Sequence, residues 1–99
     1  MTINIARDFS KFPAGRVAAD GPDNAQRFRQ EMLLPFLNLP IKIFIEVDGT
    51  LGYASSFIEE AFSGLAKEAG ITQNDLVNKI KIVASNPILA SNFYHYINQ

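Results

Sequence analysis

The sequence predicts a small α/β domain, with elements in the order β-β-α-β-α-β-α around a mixed central sheet that carries its helices mainly on one face. Three observations predict it. Residues 41–48 form a nearly continuous apolar run rich in β-branched side chains, apolar residues recur at helical spacing in 25–37 and 57–69, and lysine and isoleucine alternate through 79–82. A chain of 99 residues has room for one core, so residues 1–99 are expected to form a single domain. With 47% apolar and 19% charged residues, that core can be buried, unlike a disordered segment.

Residues 2–9 begin with Ile3 and Ile5 on one side and Asn4 on the other, as in a half-buried strand. Pro13, Ala14 and Gly15 make a turn, and Arg16, Val17, Ala18 and Ala19 are expected to return as a second strand of an N-terminal hairpin. Asn24 is then placed as the N-cap of a helix whose apolar side is Ala25, Phe28, Met32, Leu33, Phe36 and Leu37. Pro35 lacks an amide and crowds the carbonyl one turn back, so this helix kinks or ends near Leu34.

The run 41–48 reads as the central strand, covered on both faces. Phe57, Ile58, Ala61, Phe62, Leu65 and Ala69 make the stripe of a second helix running to Gly70. Residues 76–84 read as the last strand, with Lys79 and Lys81 on its open side. Asn86 and Pro87 suit the cap and first position of a final helix with Ile88, Leu89, Asn92, Phe93, Tyr96 and Ile97 as its stripe.

Composition removes several function classes. The absence of cysteine excludes disulfides, thiolate metal sites and cysteine nucleophiles. A net charge of −1 lacks the basic footprint of a nucleic-acid binder. No apolar run is long enough for a signal peptide or a membrane span, so a cytoplasmic location is expected, without nucleic acid or membrane as a partner.

Catalysis is not expected either. The single histidine, His95, falls off its helix stripe, and the region from Gly52 to Ser56 is not a nucleophile elbow. Gly49 and Gly52 lack the lysine of a phosphate loop. Glu59 and Glu60 are neighbours in sequence and point about 100° apart on a helix, so they cannot form a paired dyad. No spacing suits a metal, and no cofactor is expected.

The informative stretch runs from Asp48 through Gly49, Gly52, Tyr53, Ser55 and Ser56 into the second helix. The first amides of a helix lack internal partners and the macrodipole is positive there, so hydroxyls or anions are held well. Ser56 with Glu59 matches a capping box, and Asp48 with Gly49 also matches a common turn pair. On the outward side of this helix, Glu59, Glu60, Ser63, Gly64, Lys67 and Glu68 suggest a docking face with a close approach at Ser63 and Gly64. The alternative is an inward Gly64 with no room for a Cβ. Arg16 and Arg29 are candidate anion contacts because a guanidinium grips carboxylate or phosphate as a fork, although exposed solvation is the simpler reading of each.

The run from Asp48 to Ser56 resembles the STAS domain of sulfate transporters and anti-sigma factor antagonists. The whole chain more closely resembles the STAS-like family of unknown function, through Pro13-Ala14-Gly15-Arg16, the stretch from Phe28 to Pro35, and Ser55-Ser56-Phe57-Ile58-Glu59-Glu60-Ala61-Phe62. The resemblance implies a regulatory protein-interaction domain, with Ser55 as phosphoacceptor and Ser56 as helix cap. Its implied partner is an ATP-binding kinase-like regulator of the histidine-kinase ATPase superfamily. Two positions depart from the antagonists: Ala54 replaces an acidic residue, and Phe57 a small one.

The expected function is therefore a non-catalytic domain that docks a protein through the loop from Gly49 to Ser56 and the second helix. A phosphorylation-independent adaptor and a nucleotide- or anion-binding sensor are the alternatives. The chain is expected as a monomer or weak homodimer, with Phe12, Leu51 and Tyr53 as candidate contacts between copies.

Overall fold

A computed structural model describes residues 1–99. Strand β1 (Thr2–Asn4) leads into the short helix α1 (Ile5–Asp8). After a 3-10 turn (Ala18–Asp20), α2 (Ala25–Phe28) continues as a π turn (Arg29–Leu33) and a 3-10 turn (Leu34–Phe36). Strand β2 (Ile43–Glu46) is followed by α3 (Ser55–Phe62), α4 (Leu65–Ala69) and α5 (Gln73–Lys79). Strand β3 (Ile80–Val83) and α6 (Pro87–Ile97) complete the chain. No helix is long and apolar enough to cross a membrane.

The sheet has three strands in the order β1-β2-β3, all parallel. The expected mixed sheet is thus corrected, because the N-terminal hairpin does not form. Asn4 ends β1 by accepting a hydrogen bond from the Arg7 amide (2.9 Å), while Asp8 accepts one from the Asn4 amide (2.8 Å). This reciprocal cap turns Ile5 into the first residue of a helix. The expected return strand at Arg16 to Ala19 is instead folded around Asp20, whose carboxylate accepts from the amides of Arg16 (2.9 Å) and Val17 (3.2 Å). A sheet that grows in one direction through right-handed crossovers keeps its connections on one face.

Ile3, Ile43, Ile45, Val47 and Ile80 face that helical layer and are buried. The other face is open, and Phe44 on β2 is 40% exposed, so the central strand is covered on one side rather than two. The core beneath the helices is aromatic. Phe28 lies 6.0 Å from Phe57 and 6.3 Å from Phe62 between ring centroids, and Phe62 lies 5.6 Å from Phe93, which joins α2, α3 and α6.

Two further expectations change. The last strand begins at Ile80, not Leu76, because Thr72 accepts from the Asp75 amide (3.0 Å) and starts α5, which buries Leu76. The second helix is two helices: Ser63 leaves helical geometry and Gly64 takes a left-handed conformation (φ 72°). Gly64 is exposed, with no heavy atom within 4 Å of where its Cβ would be, so it faces no close neighbour on either side. Its role is the turn itself. The caps of α2 and α6 follow the sequence, since Asn24 accepts from Arg27 N and Asn86 from Ile88 N, both at 2.9 Å.

Candidate interaction surface at the carboxyl edge of the sheet

In a parallel sheet the loops after the strands gather at the carboxyl edge, where open α/β folds bind their ligands. Here the three loops are tied together by backbone chemistry. The Asp48 carboxylate accepts from the Ser85 amide (3.0 Å), joining the loops after β2 and β3. The Leu51 amide donates to the Lys11 carbonyl (3.0 Å), joining the loop after β2 to the chain after α1.

Gly49 makes this crossing possible. Its φ is +96°, and a Cβ there would sit 3.2 Å from Ala6 Cβ. Any other residue is strained in both respects. Tyr53 anchors the far side of the loop: its hydroxyl donates to the Val47 carbonyl (2.8 Å), and its ring meets Phe93 edge-on with centroids 5.1 Å apart. Burial pushes its phenol up to about 12; the negative charge of Asp48 adds to this and a hydrogen bond with Thr50 works against it.

This lacing presents two large apolar side chains to solvent, Leu51 at 82% and Phe12 at 62% exposure. Gly52 and Ser55 are exposed in the same loop. Ser55 also lines a cleft of about 220 Å³ with Tyr53, Ile58, Asn92, His95 and Tyr96. The α6 side of that cleft escaped the sequence reading, although Asn92, His95 and Tyr96 have the spacing of one helical face.

The expected capping box is corrected. The N-cap of α3 is Ala54, whose methyl group accepts no hydrogen bond, so Ser55 is the first helical residue and Ser56 the second. Glu59 turns instead to Arg16, with 2.7 Å between Oε1 and Nη1. Arg29 is nearly buried rather than solvated: its Nε lies 3.0 Å from Glu68 Oε2, and its Nη1 donates to the Glu60 carbonyl and lies 3.9 Å from the Glu60 carboxylate. Both candidate anion contacts are therefore engaged by carboxylates of this chain.

Asp48, Gly49, Gly52, Tyr53 and Ser55 thus lie with Leu51 along the segment from β2 to the start of α3, which the Leu51 amide ties to Lys11. Ser63 and Gly64 do not, since they follow α3 and lie roughly 12 Å along its axis from Ser55. The Ser63 hydroxyl is buried without a hydrogen-bond partner.

The chain is a small parallel α/β domain whose loops are joined by hydrogen bonds at one edge of the sheet. The chain belongs to the STAS-like domains of unknown function (DUF4325), whose family model matches residues 24–89. No curated protein and no solved structure matches it.

Proposed function

We propose that this domain is a non-catalytic regulatory module that docks a protein partner through the carboxyl edge of its sheet. The observation that carries the reading is the exposure of Leu51 and Phe12, at 82% and 62%, on two segments that the Leu51 amide joins by bonding the carbonyl of Lys11, the residue before Phe12. Apolar side chains of this size on a rigid loop suit the desolvated centre of a protein interface. Gly49, Gly52 and Tyr53 shape that surface, and Ser55 lies at its border. The engaged state of Glu59 and Glu60 moves the docking centre from the outward side of α3 to the loop.

Ser55 is the proposed switch within this surface. It is exposed and free of any capping duty, and a phosphate there brings nearly two negative charges to a helix start, where the backbone favours them. The same charge, four residues from Leu51, opposes an apolar contact and releases the partner. The family resemblance suggests an ATP-binding kinase-like protein as that partner.

A photo-crosslinking residue placed at Leu51 tests the docking surface in living cells, with Ile88, 71% exposed, as the control position. The expected result is a discrete adduct at position 51 that Phe12→Glu abolishes and Ser55→Asp weakens, while Ser55→Ala retains it. No adduct above the Ile88 control refutes the docking surface, and equal adducts from Ser55→Asp and Ser55→Ala refute the switch.

A further inference from the structure

The sheet face turned away from the helices carries Thr2 and Asn4 on β1, Phe44 and Glu46 on β2, and Lys81 and Val83 on β3. Parallel sheets are ordinarily covered on both faces. Here Phe44 and Val83 are 40% and 45% exposed, and Met1 is exposed at the start of β1.

The register sets Phe44 opposite Lys81 and Glu46 opposite Val83. These four side chains occupy the corners of a parallelogram, with the apolar pair on one diagonal and opposite charges on the other. With strands about 4.8 Å apart and alternate residues about 6.6 Å apart, the apolar diagonal runs at roughly 35° to the strands. A two-fold axis along that diagonal, between two facing copies, stacks Phe44 on Phe44 and Val83 on Val83. It also brings Glu46 of each copy onto Lys81 of the other.

We propose that this face is a homodimer surface whose occupant is a second copy of the same chain. Charge complementarity favours that occupant. The face carries one acid and one base, and neither forms an ion pair within the chain. Glu46 holds only a 3.3 Å hydrogen bond from the Asn4 amide group. Opposite charges placed to meet each other's images across a two-fold axis suit an isologous contact.

The strands of the two copies cross at roughly 70°, toward the orthogonal class of sheet packing. A patch of about 15 Å by 15 Å buries a few hundred Å² per copy, below the ~800 Å² of a standard interface. The dimer is therefore reversible and concentration-dependent. Glu46 and Val83 are the last residues of β2 and β3, so this face borders the carboxyl edge.

Sedimentation equilibrium of the full chain from about 10 μM to 1 mM tests the proposal with a charge swap. Glu46→Lys sets lysine against lysine across the axis, and Lys81→Glu sets glutamate against glutamate, so each variant alone weakens dimerisation at least tenfold. An equimolar mixture of the two restores it, because every cross-axis pair is again opposite in sign. Phe44→Ser, which leaves the charges intact, also weakens association, and circular dichroism verifies that each variant is folded. A wild-type chain that stays monomeric to 1 mM overturns the proposal and leaves the face to a different partner. Dimerisation unchanged in both charge variants, or a mixture no stronger than its components, overturns it as well.

Discussion

Gly49→Ala is the substitution that most directly probes how the carboxyl-edge loop is held. Alanine at φ +96° occupies a sparsely populated region at a cost of roughly 1–3 kcal/mol. The new Cβ also meets Ala6 Cβ at 3.2 Å, and making room in a packed contact costs about 1 kcal/mol or more. Reduced freedom of the unfolded chain returns roughly 0.4–1 kcal/mol, for a net loss of about 1.5–3.5 kcal/mol.

Gly64→Ala is the internal comparison. At φ 72° and ψ 8°, with nothing within 4 Å of the new methyl group, it pays only the left-handed cost of about 1–2 kcal/mol, less the same entropic return. Gly49→Ala should therefore lose roughly 1–2 kcal/mol more, about 5–15 °C in Tm for a domain of this size. Urea and thermal unfolding followed by circular dichroism measure both. Adding Ala6→Gly isolates the contact, and the cycle should recover about 1 kcal/mol of coupling. Equal losses at Gly49 and Gly64, or zero coupling with Ala6, would refute the account of the loop crossing.

Two further outcomes follow from the same geometry. Arg29→Met removes the charge that joins the π turn to Glu60 and Glu68; because those carboxylates are partly solvated, the loss in urea unfolding is about 1–3 kcal/mol, below that of a fully buried pair. Tyr53→Phe loses the bond to the Val47 carbonyl, about 0.5–1.5 kcal/mol at neutral pH. Because the folded phenol is raised from the ordinary 10 to about 12, its contribution is complete below pH 10 and disappears as pH rises through 12. The phenylalanine variant should show a shallower loss of stability across that window, and an unchanged slope would refute the burial argument.

The parts of the fold legible in the sequence are those decided within one turn of chain. Asn24 and Asn86 cap α2 and α6 because each has an amide to satisfy two or three residues on. The apolar run 41–48 contains the central strand, and Pro35 lies where the α2 helix has widened to a π turn and then tightened. A proline without an amide, whose ring crowds the preceding turn, requires some such irregularity. The family resemblance likewise rests on local words such as Ser55-Ser56-Phe57-Ile58, which lie within the matched residues 24–89.

Where two local patterns compete, spacing alone does not decide between them. Ile3 and Ile5 alternate as in a strand, but Asn4 and Asp8 form a reciprocal cap that ends the strand after three residues. Leu76 fits the spacing of a strand, but Thr72 caps a helix that takes it in. Ser56 and Glu59 have capping-box spacing, yet Glu59 finds a stronger partner in Arg16, 43 positions away.

By itself, the sequence determined an α/β domain, its central strand and two well-capped helices. Only the tertiary structure decided that the sheet is parallel throughout, that Arg29 is held by Glu60 and Glu68, and that the Leu51 amide bonds the Lys11 carbonyl next to exposed Phe12. The physical reason is that a cap is an agreement between near neighbours, whereas a sheet register, a buried ion pair or a bond between loops depends on residues that only folding brings within reach.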